Sequence, residues 1–162
     1  MSYIEPKIYY QNLPQKRMAV AALLFNERGQ ILILKTSYKK YWLLPGGVVE
    51  KDESLLMALT REIKEEIDLD ITQAKLAALD YCAPNIRNGV QNTESLQILF
   101  DGGIIDAVSE ALIKVDNDEI IEHMFCDVAE ALELLSKPLS RRVSSYLDGQ
   151  EAVHLENGLK IC

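Results

Sequence analysis

Short apolar runs dominate the first third of the chain. Residues 17–25 (RMAVAALLF) and 31–35 (ILILK) are each long enough for one buried strand, and Gly29 lies in the polar stretch between them. Two such runs joined by a short polar segment with glycine predict a β-hairpin. The segment YWLLPGG that follows predicts a short strand that ends at Pro45 and two glycines.

A helical period replaces these runs after residue 52. The apolar residues with helical spacing are Leu56, Leu59, Ile63 and Ile67. They predict an amphipathic helix over residues 53–67 that packs through this stripe. Asp52 directly precedes the helix and is its predicted N-cap.

The remaining elements are predicted by the same rules. Strands are expected at residues 75–83, 95–105 and 121–126, helices at 128–135 and 139–147, and a short hairpin in the tail. Strands and helices that interleave without strict alternation indicate an α/β domain of the α+β kind, built on a mixed sheet. No internal repeat or linker divides the sequence, so we expect a single domain over residues 1–162, with its core at roughly 15–148.

Three carboxylates share one face of the predicted helix at 53–67. Glu62, Glu65 and Glu66 stand at positions i, i+3 and i+4, where their like charges destabilise an isolated helix. A divalent cation among them would remove that cost, and hard oxygen ligands favour Mg²⁺ or Mn²⁺. The alternative interpretation is that this acidic run is only a solvent-exposed helix face that binds no metal.

The spacing around these acids is more specific than the acids themselves. Gly47 is followed after five residues by Glu53, and after seven more by the segment REIKEEIDL, which begins at Arg61 and ends at Leu69. This pattern resembles the Nudix box, G-x5-E-x7-R-E-U-x-E-E-x-G-U with U aliphatic. The last glycine is replaced by Asp68. Since aspartate tolerates the left-handed conformation common after a helix, we expect the fold and metal site to survive, and the alternative is a displaced last turn.

The resemblance implies a Nudix-like three-layer α/β/α sandwich around a mixed β-sheet, and roles for individual residues. By position, the implied metal ligands are the Gly46 carbonyl and the side chains of Glu62, Glu65 and Glu66. Gly47 would let the backbone approach the substrate, while Glu53 and Arg61 would brace the loop and helix. The general base would be Glu62 or Glu65, and these two are not separated.

Later parts of the chain add candidates for metal and phosphate binding. Family members often use a distal acid six residues before an aromatic residue, which selects Glu119 over Glu122, although a solvated loop acid remains the alternative. Lys35 and Arg87 are candidate substrate-binding residues that could meet phosphates at the rim of the site. Lys39 and Lys40 more often serve solubility.

Composition and charge narrow the functional classes. The chain has 162 residues, 25 acidic against 17 basic, and a net charge of -8. This balance provides no basic face for nucleic acid, and no apolar run is long enough to span a membrane. The first ten residues lack the apolar stretch of a secretory signal. Three cysteines without a CxxC spacing indicate a reducing, cytoplasmic location.

Two functions compete on this evidence. The resemblance implies a metal-dependent hydrolase that cleaves the pyrophosphate bond of a nucleoside diphosphate linked to another moiety, such as an NTP or a nucleotide sugar. The alternative is a catalytically silent Nudix-like domain that binds a nucleotide as a sensor. Retention of all three box glutamates favours the enzyme. The leaving group stays open, and a homodimer is only implied by the family.

Overall fold

A seven-stranded mixed β-sheet forms the centre of the protein. The structure is a computed structural model that describes residues 5–87, 90–115, 118–149 and 151–161, without the side chains of residues 87 and 90. The strands are β1 (Arg17–Asn26), β2 (Ile31–Thr36), β3 (Lys75–Cys82), β4 (Ile86–Arg87), β5 (Val90–Gln91), β6 (Ser95–Ile105), β7 (Ile120–Cys126), β8 (Val153–Glu156) and β9 (Leu159–Lys160). The helices are α1 (Pro6–Gln11), α2 (Leu55–Ile67), α3 (Ala107–Leu112), α4 (Val128–Leu134) and α5 (Lys137–Leu147).

The sheet combines local hairpins with long-range parallel pairs. Its strand order is β7-β2-β1-β6-β3-β8-β9, and the short β4–β5 pair stands apart from it. Neighbouring strands are antiparallel except for β1 with β6 and β3 with β8, which are parallel. In the β1–β6 pair Arg17 lies opposite Ser95, so the chain has to cross the sheet between them.

Side chains alternate between the two faces of the sheet, and helices cover both. On β1, Val20 packs in the core beneath α2, whereas Leu23 packs in the core beneath α4 and α5. Both cores contain fully buried aliphatic side chains. The three-layer arrangement around a mixed sheet confirms the predicted fold class.

Helix α2 begins later than its periodicity suggests. The predicted N-cap Asp52 is wrong, because that residue lies in a turn with φ 63. Ser54 caps the helix instead, and its hydroxyl accepts a hydrogen bond of 3.2 Å from the Met57 amide. Leu56 has the helical phase of the buried stripe but is 43% exposed, so its phase alone does not place it in the core. Leu55 and Ala58 contribute to the packed face in its place.

Most other elements confirm their predicted bounds within two residues. The segment at residues 42–48 differs, because it forms isolated bridges to β1, β2 and Leu135 rather than a strand. Helices α1 and α3 were not predicted, since each has only six residues and too few turns to show a period. The predicted tail hairpin is confirmed as β8–β9, which turns through Asn157 and Gly158. Among the described residues no helix has the length and apolar character required to cross a bilayer.

Candidate functional site

The glycine loop before α2 lies directly against β1. The Ala22 and Val20 amides donate to the carbonyls of Pro45 and Gly47, each at 2.9 Å. Gly46 sits between them with φ +140, and a Cβ there would lie 2.2 Å from the Val20 carbonyl oxygen. Only glycine fits this approach. Within the described backbone no amide donates to the Gly46 carbonyl, which leaves it available to a ligand.

Glu66 connects the helix to this loop. Its carboxylate accepts a hydrogen bond of 2.7 Å from the Gly46 amide. The pKa of Glu66 is raised to about 8, chiefly by burial and also by the nearby charges of Glu62 and Glu119, while the Gly46 hydrogen bond and the Lys39 charge oppose the rise. The acids on this side of the molecule are therefore close enough to repel one another.

Glu62 occupies the space beside Gly47. A Cβ on Gly47 would lie 2.3 Å from the Glu62 carboxyl carbon, so the absence of a side chain there makes room for this acid. Burial raises the pKa of Glu62, and its ion pair with Arg61 opposes that rise.

Arg61 joins the loop and the acids in one network. Its guanidinium donates to Glu53 at 2.9 and 3.1 Å, and to the Val48 carbonyl at 3.1 Å. It also donates to Glu62 at 2.9 Å and to Glu65 at 3.1 Å. Glu53 in turn accepts from the Glu50 amide, which closes the loop on itself. The structure thus brings Glu53 and Arg61 into contact, as the resemblance implies for the two bracing residues.

The distal acid Glu119 lies on the side of the sheet that faces α2. It directly precedes β7, accepts a hydrogen bond from the Tyr38 hydroxyl, and its charge raises the pKa values of Glu62 and Glu66. Glu122 instead pairs across strands with Lys35, on the opposite face of the sheet. The placement of these two acids favours Glu119.

Lys35 is not brought to the acids. The Lys35 ammonium donates to the Lys40 carbonyl at 3.0 Å and lies 5.7 Å from the centre of the Trp42 ring. The side chain of Arg87 falls outside the described part of the chain. Lys39, which sequence reasoning assigned to solubility, lies closer, because its charge acts on Glu66.

The acids and the glycine loop fit a hard divalent cation in chemistry, although the described residues contain no group of three His, Cys, Asp or Glu side chains already placed to hold one ion. Glu62 and Glu66 both lie against the loop, and their mutual repulsion is the feature that a dication would relieve. The Glu65 side chain is 60% exposed and is held by Arg61.

A cavity of about 480 Å³ opens on the other side of the glycine loop. Gly46 and Gly47 line it at one end, together with Lys39, and the strand residues Ala19 and Ala21 form part of its floor. The loop is therefore shared between the carboxylates and a cavity large enough for a small-molecule ligand.

A buried ion pair in this cavity was missed by sequence reasoning. Asp80 on β3 is fully buried and accepts from the Arg142 Nε on α5 at 2.6 Å. The two residues are 62 positions apart. The only available signal was an acid inside the apolar segment KLAALDYC, where a buried charge needs a partner.

Asp68 adopts the conformation expected of the replaced glycine. Its φ and ψ are 58 and 26, its amide donates to the Lys64 carbonyl at 3.1 Å, and Ile67 before it is fully buried. The last turn is therefore in place rather than displaced. The Lys64 ammonium also pairs with the Asp68 carboxylate at 2.8 Å.

Asp68→Gly should change the free energy of unfolding by less than about 1 kcal/mol, because relief of the left-handed conformation opposes the loss of an exposed ion pair. Urea unfolding measures this change, and Asp68→Asn, which keeps the conformation but not the charge, is the matched control. A loss above about 2 kcal/mol would show that the Asp68 side chain does more than cap the helix.

Comparison with known proteins agrees with this fold. A family model described as the NUDIX domain matches residues 15–147. The chain therefore belongs to the NUDIX family.

Individual relatives cover different parts of the chain. An RNA pyrophosphohydrolase of Marinomonas sp. (strain MWYL1) is 40% identical over 60 residues, which is 37% of each chain. A MutT-like protein of Streptomyces ambofaciens is 28% identical over 114 residues, 63% of this chain and 73% of that one. The crystal structure of a MutT protein from Methanosarcina mazei Go1 superposes with a TM-score of 0.68 at 25% identity, over 86% of this chain and 99% of that one.

Proposed function

We propose that this protein is a divalent-metal-dependent hydrolase that cleaves the pyrophosphate bond of a nucleoside diphosphate derivative. The observation that carries the proposal is the shared glycine loop. On one side Gly46 and Gly47 contact the carboxylates of Glu66 and Glu62, and on the other side they line the cavity. A ligand in the cavity would therefore place a phosphate beside the acids.

The metal would be held by the Gly46 carbonyl and by Glu62, Glu65 and Glu66, with Glu119 as the distal ligand. Bound Mg²⁺ or Mn²⁺ would supply charge neutralisation at the phosphates and a more acidic water. The chain's own contribution is to hold these oxygen donors beside the loop and to accept a proton from the attacking water. Glu62 and Glu65 are both candidates for that base, and Arg61 orients both.

Lys39 is a better placed phosphate ligand than Lys35. It lines the cavity next to the glycine loop, and its positive charge opposes the rise in the pKa of Glu66. Lys35 lies on the strand face that Trp42 covers, and its ammonium is occupied by the Lys40 carbonyl. We therefore propose Lys39 for the role that the sequence suggested for Lys35.

A substrate panel tests the proposal. Purified protein is incubated with NTPs, dinucleoside polyphosphates and nucleotide sugars, with Mg²⁺, with Mn²⁺ and with a chelator, and released phosphate is measured after phosphatase coupling. We expect turnover of at least one substrate class that disappears in the chelator. Nucleotide binding without any turnover would instead support the silent sensor.

Arg61→Lys should lower turnover by about 10-fold to 10²-fold, because lysine cannot bridge Glu53, Glu62 and Glu65 at once and the acids lose their orientation. The expected loss is in kcat at saturating Mg²⁺. Arg28→Lys is the matched control, since Arg28 forms an exposed ion pair with Glu110 away from the loop. Equal activity of both variants would remove Arg61 from its positioning role.

Three further expectations stay predictions. They are a single domain over the whole chain, a reducing cytoplasmic location and a possible homodimer. The free thiols of Cys82 and Cys126 are compatible with the second, while Cys162 lies outside the described residues. The acidic net charge supports a small-molecule partner rather than nucleic acid.

A further inference from the structure

The guanidinium of Arg142 lies at the wall of the cavity that adjoins the glycine loop. Arg142 is only 8% exposed, yet it lines the cavity together with Asp80 and Cys82. Small side chains at Ala19 and Ala21 leave the neighbouring floor over β1 open. A flat ligand resting on that floor would meet the arginine at its edge.

Arg142 has hydrogen-bond donors to spare. Its Nε donates to Asp80 at 2.6 Å, and its Nη2 contacts the Cys82 sulfur at 3.4 Å, which is a weak acceptor. Its Nη1 donates to no group among the described residues. Because no enclosed side-chain nitrogen or oxygen of those residues lacks a partner, Nη1 has to face open space. The open space at this position is the cavity.

Asp80 holds the arginine in place, and both of its carboxylate oxygens accept hydrogen bonds from within the protein. One carboxylate oxygen accepts from Arg142 and the other accepts from the Gly158 amide at 3.1 Å. Gly158 belongs to the β8–β9 turn, beyond residue 147, where the family match ends. The Asp80 carboxylate is therefore engaged by groups in the cavity wall, whereas Arg142 still has N–H donors available to a ligand.

Gln97 extends this wall on the neighbouring strand. It lies opposite Asp80 on β3 and opposite Ala19 on β1, and its Nε2 donates to Ser95 at 3.1 Å. The carbonyl oxygen of the same amide accepts no hydrogen bond from any described residue. The wall therefore offers strong donors from Arg142 and one adaptable amide.

We propose that Arg142 is a specificity-determining residue that reads a carbonyl oxygen on the base of the nucleotide substrate. This inference rests on the proposed function. A 6-oxo purine or a 4-oxo pyrimidine presents an acceptor to the guanidinium, as guanine does in arginine contacts to its O6 and N7. An amino group at the same position carries N–H donors, which cannot accept a hydrogen bond from the Arg142 guanidinium. The cavity thus selects hypoxanthine or guanine over adenine, and uracil over cytosine.

Binding of uncleavable nucleotides tests this selection apart from catalysis. The α,β-methylene triphosphates of inosine, adenosine, uridine and cytidine are titrated in Mg²⁺ by calorimetry. We expect the oxo member of at least one pair to bind about tenfold or more tightly than its amino partner. Equal affinities within both pairs, a preference for the amino members, or no binding at all would overturn the inference.

Variants then assign the preference to Arg142. Asp80→Asn combined with Arg142→Met removes both charges, while the oxygen of the new amide can still accept from the Gly158 amide, and the preference should disappear. Arg141→Met, on the same helix but exposed, is the matched control and should retain it. Arg142→Lys keeps the charge without the planar fork, and a reduced preference in this variant tests the inference if the double variant does not fold. A preference that persists in the altered proteins would refute the role of Arg142.

The outcomes separate the two proposals. Selective binding of oxo bases without turnover of any substrate would uphold the role of Arg142 and reject the hydrolase. Metal-dependent turnover with no distinction between oxo and amino bases would do the reverse.

Discussion

Replacing Glu66 with glutamine should reduce Mg²⁺-dependent turnover by on the order of 10²- to 10³-fold, since a lost metal ligand removes several kcal/mol of transition-state stabilisation. The fold should be retained, because the glutamine oxygen can still accept the hydrogen bond that Gly46 donates to Glu66. Removing one of several repelling carboxylates should leave the metal-free protein at least as stable as the original.

Two measurements, turnover and the Mg²⁺-dependent rise in melting temperature, distinguish a metal ligand from a structural acid. Added Mg²⁺ should raise the melting temperature of the original protein, and this rise should shrink in Glu66→Gln. Glu133→Gln, an exposed glutamate on α4, is the matched control and should behave like the original in both assays. Turnover within about threefold of the original in Glu66→Gln would contradict the proposed metal site.

Gly46→Ala should lower the free energy of unfolding by about 3 kcal/mol or more, which is the largest effect on stability that we expect. The new Cβ would lie 2.2 Å from the Val20 carbonyl oxygen and 2.7 Å from the Ala21 Cα, and both contacts are with backbone atoms of a central strand. The loop can relieve them only by leaving β1, which would also withdraw the amide that binds Glu66.

Two other glycines separate the sources of this loss. Gly149→Ala meets no atom within 4 Å and has no positive φ, so it should be neutral in chemical unfolding. Gly29 also has open space around it, but its φ is +76. Gly29→Ala should therefore lower the free energy of unfolding by about 1 kcal/mol through backbone strain alone. A loss at Gly46 no greater than that at Gly29 would show that the close approach to β1 is not rigid.

Much of the fold followed from local patterns. The strands at 17–25, 31–35 and 95–105 and the hairpin at Gly29 were predictable because alternation and turn chemistry act over a few residues. Helix α2 was predictable for the same reason, apart from its first turn. Leu56 has the right phase but is exposed, whereas Leu55 packs against the core, and periodicity does not report which residues of the first turn meet the sheet.

The acidic residues of the site could also be predicted from the sequence. The spacing of Glu62, Glu65 and Glu66 on one helix is a local property, and the fixed distance from Gly47 added the loop. Lys39 and Lys35 could not be ranked in this way. They are four residues apart, but one lines the cavity beside the glycine loop, and the ammonium of the other lies 5.7 Å from the centre of the Trp42 ring.

The amino-acid sequence by itself determined the order of the elements, the acidic face of α2 and the family resemblance, because helical and strand periods depend on neighbours within a few positions. Only the tertiary structure decided which groups share the cavity. Asp80 and Arg142 meet across 62 positions because β3 and α5 pack together, and Gly158 joins them because β8 extends the same sheet. Strand order and register set such contacts, and no local pattern encodes them.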